Sequence, residues 1–159
     1  MNIFLENHLE VLTHLIKHDV RYLLIGGFAV IYYGYERTTG DMDLWIDATE
    51  ENKQRLLDAI REMDYDESDI ETLKELDFTK EVVFSLGKEP DKIDFITKVQ
   101  IVKFEEAYQR KKHGEIDNGI KIDFVHFKDL VIMKMNTGRL KDQADIEELQ
   151  RIMKYRNKT

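Results

Sequence analysis

The sequence predicts an α+β (α/β-like) fold, a single domain over residues 1–159 in which helices flank a mixed β-sheet. Three observations carry this. Apolar residues recur at helical spacing in some segments and alternate in others, and the two patterns are interleaved along the chain. A turn-rich run, Gly87-Lys88-Glu89-Pro90-Asp91, separates two strand-like segments and marks a hairpin. The chain shows no repeat, linker or low-complexity stretch, and 159 residues suffice for one core.

The elements follow in order. Leu5, Leu9, Leu12 and Ile16 lie at helical spacing and predict an amphipathic helix over about residues 3–17. Tyr22-Leu23-Leu24-Ile25 is a short apolar run stopped by Gly26-Gly27, the pattern of a buried strand. Phe28 to Tyr35 reads as a short helix with Gly34 near its end. Asp43-Leu44-Trp45-Ile46-Asp47 alternates and reads as a strand. Thr49 before Glu50 and Glu51 is a helix start, and Leu56, Leu57, Ile60 and Met63 supply the buried stripe. Residues 64–80 are polar and weakly periodic and read as a loop with a helical turn or two. Strands are expected over 82–86 and 92–96, a helix over 103–111, a turn at Asp117-Asn118-Gly119 and a strand over 120–125. A C-terminal helical segment covers about residues 128–156, broken near Gly138.

Composition narrows the classes of function. The chain has no cysteine, which excludes disulfides and cysteine-ligated zinc and suits a reducing, cytoplasmic setting. No apolar run approaches a membrane span, and the N-terminus lacks the basic flank and apolar stretch of a signal peptide. The net charge of −8 gives no general attraction to a phosphate backbone. His14 and His18 are the one helical i, i+4 histidine pair, read as surface residues rather than metal ligands.

The stretch that points to chemistry is Leu24-Ile25-Gly26-Gly27, thirteen further residues, then Asp41-Met42-Asp43-Leu44. The glycines end a buried strand and let the backbone approach a ligand closely. Asp41 and Asp43 are two apart at a strand start, so strand alternation points both carboxylates to one face. Like charges held so close repel unless solvent or a cation compensates. Mg²⁺ suits such a site, since it takes oxygen ligands from one or two carboxylates and substrate phosphates. A third carboxylate from a neighbouring strand completes the set. Asp94, in Lys92-Ile93-Asp94-Phe95, is the first candidate, and Asp123, in Lys121-Ile122-Asp123-Phe124, is its rival. The preference for Asp94 is topological: its strand follows directly from the Asp41–Asp43 strand and its return helix, whereas the Asp123 strand is expected at an edge or beyond the cleft.

Ile25-Gly26-Gly27 followed by Asp41-Met42-Asp43-Leu44 resembles the signature of the DNA polymerase beta-like nucleotidyltransferase superfamily. Arg37-Thr38-Thr39-Gly40-Asp41 is similar to a phrase of the AbiEii-type toxins and other minimal nucleotidyltransferases. So is the run of Lys134, Gly138-Arg139-Leu140-Lys141-Asp142 and Asp145. The resemblance implies a mixed sheet whose first two strands are joined by a helix, with the acids on the second strand. It implies transfer of a nucleoside monophosphate from a nucleoside triphosphate (NTP) to an acceptor hydroxyl. Asp41, Asp43 and Asp94 would then be catalytic and hold Mg²⁺ or Mn²⁺. Gly26, Gly27, Arg37, Lys134 and Asp142 would meet the nucleotide, with Asp145 near the nucleotide or the acceptor. Arg37 has two readings, a phosphate ligand or an ion-pair partner of an acid such as Asp43. The toxin-like group points to an antitoxin as partner and leaves RNA, protein or a small molecule as acceptor. The alternatives are an antibiotic-modifying enzyme and a catalytically silent nucleotide-binding module.

Overall fold

A computed structural model describes residues 4–116 and 119–158. The elements run α1 (Glu6–Lys17), β1 (Tyr22–Ile25), α2 (Gly26–Tyr32), β2 (Met42–Ile46), α3 (Glu50–Arg61), α4 (Glu67–Glu75), β3 (Val83–Leu86), β4 (Ile93–Ile96), α5 (Phe104–Gln109), β5 (Lys112–Ile116), β6 (Ile120–Phe124), α6 (Phe127–Met135) and α7 (Leu140–Lys158). The strands form one six-stranded sheet in the order β3-β4-β2-β1-β6-β5. The sheet is mixed: β1–β2, β3–β4 and β5–β6 are antiparallel, β1–β6 and β2–β4 parallel. Among the described residues no helix is long and apolar enough to cross a membrane.

Strand alternation splits the core into two layers. Tyr22, Leu24, Met42, Leu44, Ile93 and Phe95 face one side, where Leu12, Leu56 and Ile60 of α1 and α3 cover them. Leu23, Ile25 and Trp45 face the other, under Ala107, Leu130 and Leu149 of α5, α6 and α7. Asp43 and Asp94 alternate with the first set and so lie on the second face, the one that carries α6 and α7.

Several expectations meet the structure with a difference. The N-terminal helix begins at Glu6, and residues 1–3 lie outside the described residues. α2 begins at Gly26 rather than Phe28, because Gly26 takes a left-handed turn (φ +68°) straight out of β1. Residues 67–75 form α4 instead of a loop. Its support is tertiary: Ile70 and Leu73 are buried, and Lys53 of α3 donates to the Lys74 and Leu76 carbonyls at 2.7 and 2.6 Å, closing the helix end. β5 was not anticipated, since Lys112-His113-Gly114-Glu115-Ile116 shows no apolar alternation. It is an edge strand, seated because Gly114 leaves room for the stacked rings of Tyr32 and Phe124, which a Cβ there would meet at 2.7 and 2.5 Å. β6 is therefore interior and not an edge. The expected turn at 117–119 falls largely on Asp117 and Asn118, outside the described residues.

Candidate active site

The site forms where β1 ends and β2 and β4 begin, beneath α6 and the start of α7. β2 and β4 are parallel neighbours with Asp43 and Asp94 on the same rung. Asp41 precedes β2, and all three carboxylates line one cavity of about 610 Å³. Burial pushes the Asp43 carboxyl up to about 6, and the neighbouring charges of Asp94 and Asp41 push the same way. Asp41 crowds Glu89 as well: a hydrogen bond between the two carboxyls raises Glu89 above its ordinary value. The Ser85 hydroxyl on β3 donates to Asp94 Oδ1 at 2.5 Å, which fixes that carboxylate from its outer side.

Asp123 stands elsewhere. Leu24 pairs with Phe124 across β1–β6, and Leu23 pairs with Trp45 across β1–β2, so Asp123 is level with Trp45 and two rungs from Asp43. Its carboxylate goes to His113 and Lys111, at 2.7 and 3.2 Å. Of the two candidate third carboxylates, the fold brings Asp94 and not Asp123 to Asp43. His14 and His18 face Glu62 on α3.

The glycine pair shapes the acidic end. A Cβ at Gly26 would run into the Asp43 carboxylate, and one at Gly27 would fall 2.5 Å from Thr39 Oγ1 and 2.8 Å from an Arg37 nitrogen. The backbone thus lies directly under two of the groups the sequence singled out.

The opposite wall is cationic and comes from the C-terminal helices. Lys134 of α6 is buried and lies 3.0 Å from Asp142 and 2.9 Å from Asp145. Arg37 reaches Asp145 at 2.6 and 2.7 Å. This corrects the expectation for Arg37 as a partner of Asp43: its carboxylate comes from α7, because α7 packs its first turns over the 36–41 loop. Asp142 and Asp145, expected near the nucleotide or the acceptor, are paired with cations of this wall. Asp142 receives Lys134, the Thr137 hydroxyl at 2.6 Å and Arg139 Nε at 2.7 Å. Burial opposes its ionisation, but Thr137, Lys134 and Arg139 together hold it at about 2. Both acids act on cations that line the cavity.

Sequence reasoning missed Lys92, whose Nζ lies 3.6 Å from Asp41 and 3.6 Å from Asp94. The signal was available: Lys92 is two residues before Asp94, and strand alternation puts them on one face. Lys98, Arg139, Lys141 and Thr39 also line the cavity and were not singled out.

A divalent cation is what this arrangement suits. Asp41 Oδ1 is buried without a hydrogen-bond partner, and the Lys92 ammonium already sits between two of the carboxylates as a stand-in cation. Among the described residues no three metal-ligating side chains are yet gathered into a metal-holding group.

Comparison with known proteins bears on the chain as a whole. The family model described as "Nucleotidyltransferase of unknown function (DUF6036)" matches residues 4–155. No curated protein matches the sequence. Among solved structures, the lincosamide antibiotic adenylyltransferase LnuA, in a lincomycin-bound crystal structure, is similar at 19% identity and a TM-score of 0.56, covering 94% of this chain and 98% of that one. TM1012 from Thermotoga maritima, a candidate nucleotidyltransferase, is similar at 15% identity and a TM-score of 0.57, covering 94% and 90%. At these identities the likeness establishes the fold.

Proposed function

The chain belongs to the nucleotidyltransferase family whose model spans it, and from that membership we propose that residues 1–159 act as one domain moving a nucleoside monophosphate from an NTP to an acceptor hydroxyl, with release of pyrophosphate. The observation that carries the reading is the shared rung of Asp43 and Asp94, opposite a wall of cations in the same cavity.

The roles follow from placement. Asp43, Asp94 and Asp41 would hold Mg²⁺ or Mn²⁺. Bound there, the cation would neutralise the carboxylates and polarise the triphosphate. Lys134 and Arg37, oriented by Asp142 and Asp145, present positive charge to the phosphates. Asp94, whose Oδ1 accepts a hydrogen bond from the Ser85 hydroxyl, is the group placed to take the proton of the acceptor hydroxyl. Gly26 and Gly27 keep the backbone low beneath the triphosphate. Catalysis in this scheme rests on positioning and charge complementarity.

For the acceptor, the Gly138-Arg139-Leu140-Lys141-Asp142 phrase supports a toxin-like enzyme with a cytoplasmic target and an antitoxin partner. A second reading, a drug hydroxyl as acceptor, draws on the fold shared with a lincosamide adenylyltransferase and on the net charge of −8, which suits a cationic drug. NTPs labelled in turn and incubated with cell extract or with a lincosamide separate the two by where the label goes.

The test of the reaction itself is pyrophosphate release supported by Mn²⁺, with Asp94→Ala and Asp123→Ala compared. Asp94→Ala should nearly abolish release and weaken metal–nucleotide binding, while Asp123→Ala retains most activity. Equal activity of the two variants would reject this carboxylate assignment. Nucleotide binding without release under any acceptor would favour the silent module.

A further inference from the structure

Resting on that reading, we infer that the side-chain amides of Gln100 and Asn136 read the nucleobase and set which NTP is used. The cavity is chemically graded. Its acids stand at the starts of β2 and β4, and its cations on the 36–41 loop, at Lys98 after β4, on α6 and around the start of α7. Metal and phosphates are common to every NTP, so the charged groups committed to them do not tell one base from another. The lining also holds an apolar wall of Ile96, Val99, Leu130 and Met133, a surface that a flat ring would cover.

At the end of that wall are the only two side-chain amides among the lining residues, and they are bonded to each other. Asn136 Nδ2 donates to Gln100 Oε1 at 2.6 Å, tying the segment after β4 to the C-terminal end of α6. The two hydroxyls of the lining are placed otherwise. Thr137 is committed to Asp142, and Thr39 lies against Gly27 at the acidic end.

The pair leaves a defined edge. With one bond made between them, Gln100 keeps its Nε2 donors and Asn136 keeps its Oδ1 acceptor, on two exposed side chains tied to each other. Every nucleobase presents an acceptor beside a donor on its pairing edge, in an order that differs between amino and keto bases. A fixed donor–acceptor pair therefore discriminates between them. The residue after Gln100, Ile101, is β-branched, 74% exposed and left-handed at φ +76°. Such a conformation at Ile is an outlier that persists only where the surroundings impose it.

The experiment measures equilibrium binding of ATP, GTP, CTP, UTP and inorganic tripolyphosphate in MnCl₂. Three proteins are compared: the wild type, Gln100→Ala/Asn136→Ala, and Asn136→Asp. The wild type should separate its best and worst nucleotide by about tenfold or more. The double variant should bring all four within about threefold and leave tripolyphosphate unchanged, because tripolyphosphate has no base to read. Asp at 136 only accepts, so the ratio of GTP to ATP affinity should rise by about tenfold, toward the donor-rich guanine edge. A wild type with no base preference, or variants that keep the wild-type ranking while still binding tripolyphosphate, overturns the inference and leaves the transferase reading standing. A wild type that binds neither tripolyphosphate nor any NTP removes both.

Discussion

Arg37 and Asp145 meet through a single guanidinium nitrogen that contacts both carboxylate oxygens, at 2.6 and 2.7 Å, across 108 positions of sequence. The pair is largely buried, and Asp145 also holds Lys134. Removing the acid takes the carboxylate from Arg37 and leaves Lys134 with Asp142. Asp145→Ala should destabilise the fold by about 3–5 kcal/mol. Asp145→Ala with Arg37→Met should recover part of that loss, as read by urea unfolding of the single and double variants. Equal stability of Asp145→Ala and the wild type would mean the contact contributes nothing.

Asp43 makes stability depend on pH in an unusual direction. Its carboxyl titrates near 6 in the fold, against 3.8 as the ordinary value, because burial and then Asp94 and Asp41 disfavour its charge. Between those values the folded chain binds more protons than the unfolded one, so this group's contribution falls as pH rises. The penalty is absent below about pH 4 and complete above about pH 6. Asp43→Asn removes it and should be more stable than the wild type by about 2 kcal/mol at pH 8 without added metal, with the gain vanishing by pH 4. Thermal unfolding across pH 4–8 checks this, and a constant difference at all pH values would contradict it.

Lys92 stands where a cation is wanted, so metal and lysine compete. Lys92→Met should tighten Mn²⁺ binding several-fold, on the order of 1 kcal/mol, by removing an ammonium 3.6 Å from both Asp41 and Asp94. Its effect on metal-free stability should stay under about 1 kcal/mol, because the ion pairs are partly exposed. Titration calorimetry with Mn²⁺ decides, and weaker binding in the variant would place Lys92 among the groups that assist the metal.

Gly26 should tolerate no side chain. Gly26→Ala places a methyl group in the Asp43 carboxylate at a positive φ, and should cost about 1–3 kcal/mol of stability. Because the group displaced is a carboxylate of the site, Mn²⁺ binding should fall along with stability. Gly34→Ala serves as the control: its φ is also positive, but its nearest neighbour is 3.5 Å away, on Arg156. Similar metal affinity in both variants would uncouple Gly26 from the site.

Where local chemistry decides, the sequence was legible. Thr49 caps α3 by accepting from the Asn52 N–H, as the Thr-Glu-Glu start suggests, and the Gly26-Gly27 and Asp41-Asp43 spacing reads directly onto a β1-α2-β2 unit. What escaped was decided at long range. α4 is closed by Lys53 from another helix, and β5 is seated by a glycine beneath the rings of Phe124 on β6 and Tyr32 on α2. The partners of Arg37 and Asp142 depend on how α7 crosses the earlier loop, which no periodicity encodes. Lys92 is the exception, because alternation alone placed it beside Asp94.

The sheet order carries a consequence for how the molecule comes into being. β1 sits between β2, made twenty residues later, and β6, whose Phe124 pairs with Leu24. During synthesis the acidic half of the site is complete once residue 96 has emerged, while one edge of β1 stays bare and its apolar face uncovered. Pairing that edge closes a loop of about a hundred residues, an entropic barrier that slows folding. Newly made chains should therefore pass through a stage with the carboxylates assembled and the cationic wall absent. Pulsed hydrogen exchange would show it as protection in β2 and β4 preceding protection in β6 and α7.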